Sequence, residues 1–214
     1  MHILTICGSP SRKSRSTALV TRARSLLEAQ GVQVQQLGLR DVPAEDLVFG
    51  RIHAVASKHF ASQVQFADGI VVASPIYNGS IAGGVKALLD LLPENALVDK
   101  VVLPIATGGS AAHQLAIEYS FKPLLSALGA RHVLTGVFAT DQQVPLCSID
   151  EILISADIGR RLADGIDQLV RALTPAADLA PQDAHPVWLA HWRTLGATTH
   201  ADPRRVGAID KGDI

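Results

Sequence analysis

Hydroxyl and cationic side chains are concentrated in one short stretch, ICGSPSRKSRST, which covers residues 6–17. It follows an apolar run and precedes a helical pattern, which predicts a loop between a strand and a helix. Unpaired N–H groups and the positive end of the helix dipole would face this loop, as in a phosphate-binding site. The candidate donors are the hydroxyls of Ser9, Ser11, Ser14, Ser16 and Thr17, with charge from Arg12, Lys13 and Arg15.

Three known phosphate-binding patterns were compared with this loop. A dinucleotide-binding GxGxxG is absent beyond its first glycine, and so is the GxxxxGK[ST] of a P-loop. A tyrosine-phosphatase loop, C-x5-R, would start at Cys7, but Lys13 stands where the arginine is required. A lysine cannot provide a bidentate guanidinium, so phosphatase chemistry is a distant alternative and Cys7 is interpreted as a small buried apolar residue.

A second loop, SPIYNG, follows another apolar run and has the character of a rigid wall. Pro75 fixes its turn, Ile76 and Tyr77 offer apolar and aromatic surface, and Asn78 and Gly79 tolerate left-handed backbone. Such a wall suits a flat heteroaromatic ring. Two glycines at 83 and 84 fall inside the helix predicted to follow, where they would permit close approach of a ligand or second subunit.

A third loop, ATGGSAAHQ, follows the next apolar run. Its Thr107, Gly108, Gly109 and Ser110 predict an amide-rich turn at a helix amino end. Such a turn could donate hydrogen bonds to the carbonyl edge of a ring and stabilise negative charge that develops there.

Strand and helix patterns alternate along the chain and predict an α/β fold of three layers. Apolar runs joined by helices indicate a parallel sheet of five strands, and we expect the order 2-1-3-4-5. Ligands of such sheets bind at the carboxyl ends of strands one and three, so the three loops should meet at one crevice. The predicted strands are 2–7, 32–37, 69–74, 100–107 and 131–138, and the predicted helices are 17–31, 53–68, 80–93, 111–128 and 148–173.

Length and composition limit the class of protein. The 214 residues, 48% of them hydrophobic, predict one domain over 1–174, followed by a proline-punctuated tail over 175–214 that is docked or partly disordered. A net charge of −1 argues against a nucleic-acid or membrane-surface partner. The start resembles no signal peptide and two cysteines form no metal cluster, which predicts a cytoplasmic protein without a metal.

Four stretches together resemble the NAD(P)H-dependent FMN reductases of the flavodoxin-like fold: GSPSRKSRST, SPIYNGSIAGGVKALLDLLP, ATGGSAAHQLAIEYSFKPLLSALGA and GVFATDQQV. The similarity covers roughly residues 1–145 and is greatest to reductases that supply alkanesulfonate or methanesulfonate monooxygenases. It implies FMN and NAD(P)H as ligands, a monooxygenase as partner, and a homodimer or homotetramer. It places FMN phosphate at Ser9 and Ser14–Thr17, and the flavin ring at Pro75–Gly79 and Thr107–Ser110.

Tyr119 is a further candidate, because Pro123 removes the N–H that its carbonyl would accept in an α-helix. We expect a kink or bulge near Tyr119, a feature frequent at functional sites. In some relatives a tyrosine on such a bulge lies at a subunit interface beside the flavin. The resemblance therefore implies that Tyr119 controls whether FMN stays bound or is exchanged.

Two other functions compete with FMN reduction at the sequence level. One is reduction of a quinone, azo dye or chromate by bound FMN. The other is electron transfer by a flavodoxin-type carrier without NAD(P)H activity, although such carriers tend to be strongly acidic and this chain is nearly neutral.

Overall fold

The computed structural model describes residues 1–11, 13–145 and 153–174. The strands are β1 (His2–Cys7), β2 (Gln33–Gly38), β3 (Gly69–Tyr77), β4 (Ser80–Ile81), β5 (Val101–Gly108), β6 (His132–Val133) and β7 (Val137–Thr140). The α-helices are α1 (Arg15–Ala29), α2 (Ala44–Val48), α3 (Val55–Phe66), α4 (Gly83–Leu89), α5 (Lys122–Ala127) and α6 (Ala156–Leu173). Two 3₁₀ turns span Leu39–Asp41 and Ala111–Gln114, and a π-helix spans Ile117–Phe121.

The sheet confirms the predicted flavodoxin-like order. Its strands follow the sequence β2-β1-β3-β5-β6, and all pairs along this path are parallel. The expected count of five is wrong, because seven strands join the sheet within the described residues. β4 adds a short antiparallel hairpin to β3, and the predicted fifth strand is divided into β6 and β7, which both pair with β5.

The division of the fifth strand has a local cause in β5. Val102 of β5 accepts a hydrogen bond from Leu134 N at 2.9 Å, so its polar groups face the fifth strand. Pro104, two residues on, faces the same side but has no N–H to donate. The segment between β6 and β7 leaves the ladder opposite Pro104 and passes through Gly136, whose φ is +89°.

Apolar side chains of the strands pack on both faces of the sheet, as the unbroken apolar runs predict. On β1, Ile3 packs in one cluster, and Leu4 and Ile6 pack in the other. The first cluster lies under α1 and α6, and the second lies under α3, α4, the π-helix and α5. The result is the predicted three-layer sandwich.

The segment after β3 differs from the helix predicted over 80–93. Residues 75–77 continue β3, β4 pairs back on them, and α4 begins only at Gly83. The two glycines therefore stand in the first turn of α4 and not in its interior, so their helix-propensity cost is smaller than expected. Gly84 permits close packing, since a Cβ there would lie 2.8 Å from Leu39 Cδ1.

The helix predicted over 111–128 consists of a 3₁₀ turn, the π-helix and α5. Lys122 donates its N–H to the carbonyl of Ile117, five residues earlier, which is the π pattern. The structure thus confirms the bulge expected near Tyr119, and the proline at position 123 stands in the first turn of α5.

The last predicted helix, 148–173, is observed as α6. It begins at Ala156, where Ser155 Oγ accepts from Ile158 N at 3.4 Å. The described ranges contain no helix long and apolar enough to cross a membrane. Arg12, residues 146–152 with Cys147, and the predicted tail over 175–214 lie outside the described residues.

Candidate functional site

The loops after β1, β3 and β5 meet at the carboxyl edge of the sheet and enclose a cleft of about 400 Å³. This is the crevice expected from the strand order. Its lining residues are Ser9, Ser11, Lys13, Ser14, Arg15, Ser16, Pro75, Ile76, Tyr77, Thr107, Gly108, Gly109 and Asp141.

The first loop is held in shape by its own hydroxyl groups. Ser14 is the N-cap of α1, and its Oγ accepts from Thr17 N at 3.1 Å. Ser9 Oγ accepts from Ser11 N at 3.2 Å. The helix itself offers no acceptor to the N–H groups of Arg15 and Ser16, which leaves them available to an anion in the cleft.

Gly8 allows this loop to lie close to its neighbours. Its N–H donates to the carbonyl of Ala73 at 2.8 Å. A Cβ at position 8 would lie 2.5 Å from that carbonyl oxygen and would overlap the side chain of Val85. The glycine is therefore needed for close approach between the loop, β3 and α4.

A buried pair of hydroxyls links the first and third loops at the lining of the cleft. Ser16 Oγ and Thr107 Oγ1 lie 2.8 Å apart, and their residues are 1% and 4% exposed. Because this hydrogen bond joins the amino end of α1 to the end of β5, it fixes the separation of the first and third loops.

The second loop is a tight hairpin and not an open turn. Tyr77 pairs with Ser80, and between them Asn78 and Gly79 have φ values of +51° and +78°. These left-handed conformations match the expectation from the Asn-Gly pair and are typical of a type I′ turn. Tyr77 is 55% exposed and borders the cleft.

Gly108 of the third loop is needed because His113 packs against it. A Cβ at Gly108 would lie 2.9 Å from His113 Nδ1. Within the described ranges that nitrogen is buried and has no hydrogen-bonding partner. The packing of His113 against Gly108 thus supports the turn.

The cation predicted at the first loop has an anionic neighbour. Arg15 Nε lies 3.3 Å from Asp141 Oδ1 and donates to the carbonyl of Val144 at 3.1 Å. Asp141 was not among the candidates from sequence, although it follows the fifth strand in GVFATDQQV. The available signal was its position, at the carboxyl end of a parallel strand.

Most of the predicted binding residues line the cleft, but four do not. Thr17 Oγ1 lies 3.3 Å from Cys7 Sγ. Thr17 lines a separate cleft of about 270 Å³ together with Arg24 and Arg40. Ser110 Oγ accepts from Ala112 N and caps the 3₁₀ turn. Asn78 and Gly79 form the tip of the hairpin, outside the lining.

Tyr119 also stands outside the cleft, on the surface of the π-helix, where it is 80% exposed. Its neighbour Ser120 joins the π-helix to the hairpin, because Ser120 Oγ lies 2.7 Å from Ser80 Oγ and accepts from Ile81 N at 3.3 Å. The π-helix and the wall of the cleft are therefore directly connected.

Comparisons with known proteins show which family the chain resembles. The profile of the NADPH-dependent FMN reductase family matches residues 1–145. The "FMN reductase (NADPH)" of Pseudomonas putida KT2440 is 51% identical over 144 residues, which cover 67% of this chain and 73% of that protein. The "FMN reductase (NADPH)" of Escherichia coli K12 is 49% identical over 144 residues, which cover 67% of this chain and 75% of that protein. The apo crystal structure of NADH:FMN oxidoreductase EmoB superposes with a TM-score of 0.73 at 33% identity, covering 87% of this chain and 98% of that one.

Proposed function

Because the chain belongs to the NADPH-dependent FMN reductase family, we propose that it reduces FMN as an exchangeable substrate and releases the reduced FMN to a sulfonate monooxygenase. It is an NAD(P)H:FMN oxidoreductase. The observation that carries the proposal is the meeting of three loops at one cleft, with hydroxyls and a helix amino end on one side and an aromatic wall on the other.

The donor set fits a phosphate monoester. Ser9, Ser14 and Ser16 contribute hydroxyls, the first turn of α1 contributes N–H groups, and Arg15 contributes a guanidinium. Because helix amino ends and arginine both favour anions, we assign the flavin phosphate to this side of the cleft. The resemblance predicted these residues together with Thr17, which lies outside the lining of the cleft.

The other side of the cleft fits a flat ring. Tyr77 and Ile76 of the hairpin offer a rigid apolar wall, and Gly108 and Gly109 bring backbone close to the opposite edge. FMN bound there supplies the acceptor for a hydride from NAD(P)H. The residues of this chain orient the ring and leave one face open to the nicotinamide, and the chemistry needs no nucleophile from the protein.

We propose that Tyr119 contributes to flavin exchange at an interface between copies of this chain, in a homodimer or homotetramer. Support comes from its high exposure on the π-helix and from the Ser80–Ser120 hydrogen bond, which connects that helix to the cleft wall. Light scattering and FMN titration of wild type and Tyr119→Ala test this role. Unchanged mass, flavin affinity and turnover in the variant would contradict it.

Anaerobic mixing with NADPH or NADH and excess FMN tests the reaction. We expect stoichiometric loss of flavin absorbance and repeated turnover with free FMN as the only acceptor. If turnover requires a quinone and free FMN does not support it, the enzyme is instead a flavin-bound quinone reductase.

The monooxygenase partner is tested by coupling. A purified alkanesulfonate monooxygenase should release sulfite when this reductase, NAD(P)H, FMN and an alkanesulfonate are added in air. The resemblance of the motifs supports this class of partner. No sulfite with any linear alkanesulfonate, while FMN reduction proceeds, would exclude the sulfonate role and leave the reductase activity intact.

A further inference from the structure

A carboxylate lies inside the cleft that is otherwise built for an anion. Asp141 follows β7, and its backbone N–H donates to the carbonyl of Gly108 at 3.2 Å. Its side chain lies between two elements of the cleft. Oδ1 is 3.3 Å from Arg15 Nε, and Oδ2 would lie 3.9 Å from a Cβ added at Gly109. The carboxylate therefore stands between the phosphate side and the ring side.

Asp141 opposes a bound phosphate in two ways. Its Oδ1 pairs with Arg15 at Nε, beside the guanidinium that the phosphate would bind, and its own negative charge repels the phosphate dianion. The side chains of Arg15 and Asp141 are 28% and 45% exposed. An ion pair this accessible to water adds little to stability, so its position in the cleft is not explained by folding.

We propose that Asp141 sets the lifetime of bound FMN by competing with the flavin phosphate for Arg15. This inference rests on the proposed function, since it concerns release of the same flavin. In the flavin-free protein Arg15 lies between Asp141 and the carbonyl of Val144, a shift of the guanidinium toward the phosphate weakens the ion pair with Asp141, and re-formation of that pair favours release. A reductase that delivers its product to another enzyme needs such release.

The variant Asp141→Asn tests the proposal, with FMN and riboflavin as paired ligands. The substitution keeps the size of the side chain and removes its charge. We expect FMN to bind at least about tenfold more tightly and to dissociate correspondingly more slowly, because repulsion and competition are both lost. Riboflavin, which has no phosphate, should bind as it does to wild type. Fluorescence quenching and stopped-flow dissociation measure these values without turnover.

Two further variants test whether the gain in FMN affinity depends on the position of the carboxylate and on Arg15. Asp90→Asn removes a carboxylate that pairs with Lys86 on α4, outside the cleft lining, and should leave both affinities unchanged. In an Arg15→Met background, Asp141→Asn should improve FMN binding less than it does in wild type, because competition for the guanidinium no longer exists.

Several outcomes would overturn the proposal. Unchanged FMN binding by Asp141→Asn would mean that the carboxylate does not compete with the phosphate, and weaker binding would mean that it orients Arg15 or contacts the ligand favourably. An equal gain for riboflavin would show that the phosphate is not involved. If Asp141→Asn does not fold, Asp141→Ser is held to the same criteria. A wild-type protein that binds neither flavin defeats the proposed function as well, whereas normal turnover of FMN with an unchanged variant defeats this inference alone.

Discussion

Gly8 shows how one missing side chain determines the position of the first loop. The space for its Cβ is occupied by Val85 and by the carbonyl oxygen of Ala73. Because both neighbours belong to packed elements, neither can withdraw without moving β3 or α4. The packing shows that this glycine serves close approach and not a left-handed φ.

For the variant Gly8→Ala we expect a loss of about 1–3 kcal/mol in the free energy of unfolding, because a methyl group is forced into occupied space. FMN affinity should fall as well, since the loop must shift. Urea unfolding and flavin titration measure the two effects. Gly83→Ala is the matched control: a Cβ there meets no atom within 4 Å, so stability should be unchanged or slightly higher. Equal stability of both variants would contradict the packing argument.

The residue types predicted which polar side chains line one side of the cleft, but they did not predict the negative charge that lies among them. Ser9, Ser16 and Arg15 followed from the donors that a phosphate needs, and all three line the cleft. Asp141 could not be found by that reasoning, because an ionised carboxylate repels a phosphate and donates no hydrogen bond to it. Its contact with Arg15 depends on the return of the chain after β7, which no local pattern reports.

Elements were predicted best where one strand or helix determines its own pattern. The apolar runs of β1, β3 and β5 gave the parallel order correctly, since strands buried on both faces need no partner to be recognised. The β4 hairpin and the break between β6 and β7 were missed. Both depend on pairing with another strand: β4 on the end of β3, and the break on Pro104 of β5.

At the end of α3, the lysine that precedes β5 donates to carbonyl groups of the chain. Lys100 Nζ donates to the carbonyl of Ala67 at 2.6 Å and to that of Gln65 at 3.1 Å. Burial lowers the pKa of Lys100 below its ordinary 10.5, and nearby Asp68 and Asp99 partly oppose this shift. The lysine thus stabilises a helix end at the cost of desolvating its own charge.

The lowered pKa predicts a pH dependence of stability. In the alkaline range just below 10.5 the unfolded chain keeps the Lys100 proton that the folded chain has lost, so unfolding takes up a proton there. The free energy of unfolding should therefore rise with pH in this window for wild type relative to Lys100→Met, and the relative difference should stay flat below it. Urea unfolding across the window, with Lys58→Met as an exposed control on α3, measures this. A relative fall with rising pH would contradict the assignment.

For the whole molecule, the boundary predicted at residue 174 remains a prediction that truncation can test. Residues Met1–Pro175 form one compact unit, and it contains every described residue that lines the cleft. A chain ending at Thr174 should fold and reduce FMN with NAD(P)H at the rate of the full chain. Circular dichroism, flavin titration and turnover measure this. Loss of flavin binding in a folded truncated protein would show that residues 175–214 belong to the site.

The divided fifth strand has a consequence for how molecules meet in solution. Among the described strands β6 and β7 form one outer border of the sheet, in stretches of two and four residues separated around Gly136. A long unpaired border invites strands of other molecules to join it, which leads to fibres and aggregates. A border this short and broken offers no continuous row of N–H and C=O groups. This border therefore gives strands of other copies little to join, whereas β2 at the opposite border is an unbroken strand of six residues.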